Sequence, residues 1–71
     1  MTQREHDENL MVVHAVEEFA MRHELPVAVG LALLKESGTI SAIRQHFDSL
    51  HTQSLDESAQ FAEDYFTRSH A

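Results

Sequence analysis

Six histidines fall in a chain of 71 residues, at positions 6, 14, 23, 46, 51 and 70, and metal binding is the first chemistry that such a number invites. Zinc sites built on helices take ligands three or four residues apart, because only those spacings put two side chains on one face. None of His6, His14, His23, His46, His51 and His70 stands three or four from another histidine. His46 and His51 are five apart, which on a helix turns them more than a right angle from each other. The spacing therefore points to surface or half-buried histidines and to no metal site, with a mild sensitivity near pH 6 following from their number.

General acid and base chemistry draws on Glu17, Glu18, Asp48, Asp56, Glu57, Glu63 and Asp64. Neighbours on a helix point about 100° apart, so neither Glu17 with Glu18 nor Glu63 with Asp64 is set to share one substrate. Glu17 and Asp64 could meet across a bundle, but so could many charges. Ser49, His51 and Asp48 are too close in sequence to form a nucleophile relay. The two glycines, Gly30 and Gly38, stand alone, so no phosphate loop is present, and with no cysteine there is neither a thiol nucleophile nor a disulfide. The expectation is a protein without enzymatic activity and without a cofactor.

One segment concentrates directional hydrogen-bonding side chains: Phe47-Asp48-Ser49-Leu50-His51-Thr52-Gln53-Ser54. Two readings stand for it. Asp48, His51 and Thr52 tie a turn together through backbone groups, or Phe47, Asp48, His51 and Thr52 form a recognition surface with Glu17 and Glu18 as rim charges.

The elements that must carry these residues are marked by sparse punctuation at Leu25-Pro26, Ser37-Gly38 and His51 to Ser54. From about Asp7 to His23, Val12, Val13, Val16, Phe19, Ala20 and His23 recur at helical spacing, and Glu5, Asp7 and Glu8 near the start complement the helix dipole. Residues 1–6 are expected to be flexible. Pro26 suits the first turn of a second helix and Gly38 the left-handed position beyond its end near Glu36. Everything from Pro26 to Leu34 is apolar or glycine, which places this helix at the centre of the core or beneath another chain. Gly30 inside it implies a close approach of two helices.

Ile40, Ile43, Phe47 and Leu50 make a third, short helix. Ser54-Leu55-Asp56-Glu57 is a capping box that opens a fourth, whose inward face is Leu55, Ala59, Ala62 and Phe66, widened by Phe61 and Tyr65, with fraying towards Ala71. Links this short force neighbouring helices together, so the expected fold is all-α, a compact bundle of about four short helices in a single domain spanning residues 1–71.

Twelve acidic against five basic side chains give a net charge of -7. Arg4, Arg22, Lys35, Arg44 and Arg68 are dispersed, which argues against nucleic acid. Anionic lipid would repel such a chain, and the apolar run Pro26 to Leu34 is far short of the roughly 20 residues of a membrane span. The polar stretch Thr2 to Asn9 does not read as a secretory signal, so a cytoplasmic protein is expected.

Val16-Glu17-Glu18-Phe19-Ala20, Leu25, Leu34-Lys35, Gly38, Ile40, Ile43, Phe47-Asp48 with Leu50-His51-Thr52, and Glu63-Asp64 together resemble the small bacterial domains of unknown function of family 3791. The resemblance runs from about Leu10 to Phe66, and its most specific part is aromatic-Asp-x-Leu-His-Thr. It implies a short, helical, stand-alone protein with no known enzymatic activity. Members often lie beside genes for predicted toxins, including ones resembling ADP-ribosyltransferases, which implies an antitoxin-like or accessory role. Phe47 stands where a tyrosine is common, so a role resting on that hydroxyl does not carry over. The acidic, histidine-containing N-terminus is also this chain's own.

The resulting expectation is a small interaction module that meets another protein, a basic toxin or effector. The alternative is a structural homodimer built on the apolar second helix.

Overall fold

A chain this short can hold one core, and each helix must bury a face against the others. The computed structural model describes residues 2–69. The helices are α1 (Gln3–Arg22), α2 (Val27–Glu36), α3 (Thr39–Gln45), α4 (Phe47–Leu50) and α5 (Leu55–Ser69), and no strand occurs among the described residues. The fold is therefore the all-α bundle expected. The fraying expected towards Ala71 falls in part, with His70 and Met1, outside those residues.

The longest helix, α1, lies against α5, α2 and α3. It begins at Gln3, four residues ahead of the expected start. The Thr2 hydroxyl accepts from the Glu5 backbone N–H at 3.1 Å, and two pairs spaced four apart, Gln3 with Asp7 at 2.9 Å and Arg4 with Glu8 at 3.0 Å, brace the first turns. The lead expected to be flexible is thus helical from Gln3 onward.

The buried arc of α1 is Met11, Val12, Ala15, Val16, Phe19 and Ala20. Val13, expected inside, is 52% exposed. It sits about 100° from Val12, beyond the reach of the helices that cover the arc. His23 caps the helix end, where its ring packs on Phe19 at 4.3 Å and its Nε2 meets Glu63 at 2.9 Å.

The turn into α2 closes as a Schellman motif. Leu25 N–H donates to the Ala20 carbonyl at 2.8 Å and Glu24 N–H to Met21 at 3.2 Å, with Glu24 in the left-handed region at φ 54°. Pro26 precedes the first turn of α2 as its N-cap, and Gly38, at φ 81°, turns the chain out of α2 into α3. Gly30 lies against Ala20 so closely that a β-carbon there would stand 3.1 Å from the Ala20 Cβ. The close approach inferred for Gly30 is therefore between α2 and α1 of one chain.

The segment read as one helix from Ile40 to Leu50 is two. His46, at φ -99° and ψ 14°, ends α3 and precedes α4. Ile43, Phe47 and Leu50 still reach the core from both pieces. At the head of α5, the Ser54 hydroxyl accepts from the Glu57 N–H at 3.2 Å, the Ser54 half of the capping box. Ala59 and Ala62 are buried as expected, whereas Leu55 is 50% exposed, since the first turn of α5 turns Ser58 and Ala59 inward instead.

Candidate functional site

The segment from Phe47 to Thr52 is structured by its own residues. Phe47 is buried and its ring stacks on His51 with centroids 5.1 Å apart. The Phe47 carbonyl lies 3.0 Å from His51 Nδ1, which donates to it in the tautomer carrying that proton. Thr52 donates from its hydroxyl to the Ser49 carbonyl at 2.8 Å, so the last carbonyls of α4 find side-chain donors. Asp48 takes a salt bridge from Arg4 at 2.8 Å, and the Arg4 guanidinium lies 5.3 Å from the centre of the Phe47 ring. The hydrogen bond to Glu8, followed by the charge of Asp48, raises Arg4 above its ordinary pKa. These contacts give Phe47, His51 and Thr52 the turn-structuring role, while Asp48 reaches Arg4 of α1 through an exposed ion pair.

Glu17 and Glu18 lie on another surface, shared with α2. A helix as apolar as Val-Ala-Val-Gly-Leu-Ala-Leu-Leu should vanish into the core, yet only Gly30 and Leu34 of α2 are buried. Val27 is 53% exposed, and Val29 and Leu31 are 43% exposed. Of the two places expected for this helix, the centre of the core is thereby corrected: α2 is a wall laid on α1, held by the Gly30 contact, by Leu34 and by half-buried Leu33.

Between α1 and α2 runs an apolar groove of about 290 Å³, lined by Val12, Val13, Val16, Glu17, Val27 and Leu31. Glu17 is the only charged residue among the described residues that line it. Glu17 and Val27 also line an adjoining depression with His14, Glu18, Met21 and Leu25, so the apolar strip continues past both glutamates. Leu10 and Met21 add exposed apolar surface on α1. A further depression between α4 and α5, lined by His46, Gln53, Glu57, Gln60 and Asp64 among others, is more polar.

Residues 10–68 match the model of a family described as "Protein of unknown function (DUF3791)". The chain belongs to this family. No curated protein and no solved structure matches it. Within DUF3791 the match takes in all of α2 to α4, most of α1 and nearly all of α5, so the groove lies wholly inside the family's shared region.

One cluster joins a histidine to two carboxylates rather than to another histidine. His14 and Glu18 are four apart on α1, and Asp56 in the first turn of α5 approaches them, so that one donor atom from each lies within 4.8 Å of the others. Four-residue spacing between His14 and Glu18 is visible in the sequence; the arrival of Asp56 depends on how α5 packs on α1. No helix among the described residues is long and apolar enough to cross a membrane.

Proposed function

We propose that this protein is a non-catalytic interaction module whose α1–α2 groove receives an amphipathic, basic helix of another protein. One observation carries the reading: α2 exposes Val27 and Leu31 across the groove from exposed Val13 of α1, although the fold buries only Gly30 and Leu34 of that helix. Contiguous apolar surface rimmed by polar residues is what protein-binding sites offer, and a helix laid in an apolar groove is a recurrent way of filling one.

Charge argues for the kind of partner. Glu17 stands in the groove wall, Glu18 lies beside it, and the chain carries -7 overall. A second copy related by a two-fold axis would bring the same acidic edge against its own image. Positive charge flanking an apolar stripe satisfies both the floor and the rim, and complementary potential speeds encounter. A basic toxin or effector, neutralised in the cytoplasm, is the partner that this chemistry fits. The groove, rather than the turn at Phe47 to Thr52, is where contact is made.

A photo-crosslinking residue placed at Val13 in the native host tests the reading. The expected product is one heteromeric adduct, mapped to a net-positive apolar helix, weakened by salt and lost on Leu31→Lys or Glu17→Lys with helicity unchanged. Adducts between two copies of this chain would transfer the groove to a homodimer. If no adduct forms, the reading fails.

A further inference from the structure

We propose that His14, Glu18 and Asp56 bind one divalent transition-metal cation of the zinc class, which joins the start of α5 to the middle of α1. The three offer one imidazole nitrogen and two carboxylate oxygens, with ligand atoms within 4.8 Å of one another. His14 and Glu18 share a face because they are four apart on α1, the spacing by which a helix presents two ligands to one ion.

The state of His14 separates this cluster from a chance meeting of surface charges. Its Nε2 is buried and has no hydrogen-bond partner. Asp56 Oδ1 lies 3.8 Å away, beyond hydrogen-bonding distance but facing the ring. Buried imidazole nitrogens ordinarily find a partner. Two donors on a tetrahedral zinc ion stand about 3.4 Å apart, given bonds of about 2.0–2.2 Å, so the 3.8 Å between the nitrogen and the oxygen is within about half an ångström of the separation that a shared ion requires. Asp56 is exposed and free to turn, and Glu18 is half-buried on the same face as His14.

The donor set also selects the ion. Imidazole disfavours magnesium and calcium, which prefer cages of oxygen, and suits zinc and its neighbours. Two carboxylates neutralise the charge of a divalent cation, and a fourth position remains for water. Since α5 starts at Leu55, one residue before Asp56, a bound ion would pin the first turn of that helix. Anything that binds the folded chain and not the unfolded one stabilises it by mass action. The proposal does not depend on a protein partner, and its test uses the metal alone.

Zinc is titrated into the tag-free protein by calorimetry, with melting followed by circular dichroism. One equivalent is expected to bind and to raise Tm, whereas magnesium leaves Tm where it was. Asp56→Asn, a change at an exposed residue that leaves the fold intact, is expected to weaken zinc by about tenfold or more, no less than the loss of a supporting outer-shell group would cost. His14→Gln removes the site, and His23→Gln with His46→Gln, as a control for adventitious histidine binding, leaves it unchanged. No zinc binding to the parent protein overturns the proposal. So does zinc binding that survives His14→Gln or is indifferent to Asp56→Asn.

Discussion

Gly30 sets the distance between the two walls of the groove, and Gly30→Ala measures how firmly. The added methyl would stand 3.1 Å from the Ala20 Cβ and 3.5 Å from its Cα. Carbon atoms in favourable contact are about 3.5–4.0 Å apart, so α1 and α2 must separate by about half an ångström. No flexible side chain can absorb that movement: Ala20 is 1% exposed and its methyl is bonded directly to the backbone of α1. Overpacking of this kind costs about 1–3 kcal/mol, and the better helix propensity of alanine returns about 1 kcal/mol. The expected net effect is a loss of about 1 kcal/mol, or a fall in Tm of about 4–8 °C for a domain of this size. Combining it with Ala20→Gly separates sterics from propensity. The double variant returns the missing space, so a favourable coupling of about 1 kcal/mol between the two sites is expected in urea-unfolding cycles. A Gly30→Ala protein more stable than its parent, with additive effects in the cycle, would refute the argument that this glycine is there for helix approach.

Two further perturbations probe the frame around the groove. Glu24→Gly is expected to stabilise by about 1 kcal/mol in thermal melts, because Glu24 holds a left-handed conformation that disfavours side chains; an unchanged Tm would mean that the Glu24 side chain offsets the strain. Ser58→Ala is expected to raise the urea midpoint by an amount equivalent to about 1 kcal/mol. The Ser58 hydroxyl is fully buried without a partner, an unmade bond worth about 1–3 kcal/mol, and a lowered midpoint would show that it is satisfied in solution.

Punctuation in the sequence was the reliable guide to the fold. Pro26, Gly38 and Ser54 each stand at a helix boundary, because each acts through its own backbone or its nearest neighbours. Facing was less legible. Val12 and Val13 are both apolar, yet one is buried and the other exposed, and only the placement of α2 and α5 decides between them. The same holds for Leu55, apolar but outside, and for Ser58 and Thr39, polar but fully buried. Thr39 is satisfied there through a 2.6 Å contact with the Ser37 hydroxyl. The break at His46 left no signal, since Ile43, Phe47 and Leu50 keep helical spacing across it.

The groove was half legible. An all-apolar helix from Val27 to Leu34 admits two explanations, a central place in the core or cover from another chain, and a sequence cannot choose between them. The structure removes the first. Gly30 and Leu34 fasten α2 to the bundle, and the core closes through Leu34, Ile43, Phe19 and Ala62 with no contribution from the exposed faces of Val27, Val29 or Leu31. Polar residues at those three positions would leave the core as it is and would improve the hydration of an isolated monomer. Folding alone therefore does not account for an apolar residue at each of them. Val27 and Leu31 share one side of α2 and meet exposed Val13 across the groove; with the acidic edge at Glu17 and Glu18 they are the surface on which the proposed cover, apolar and positively charged, is laid.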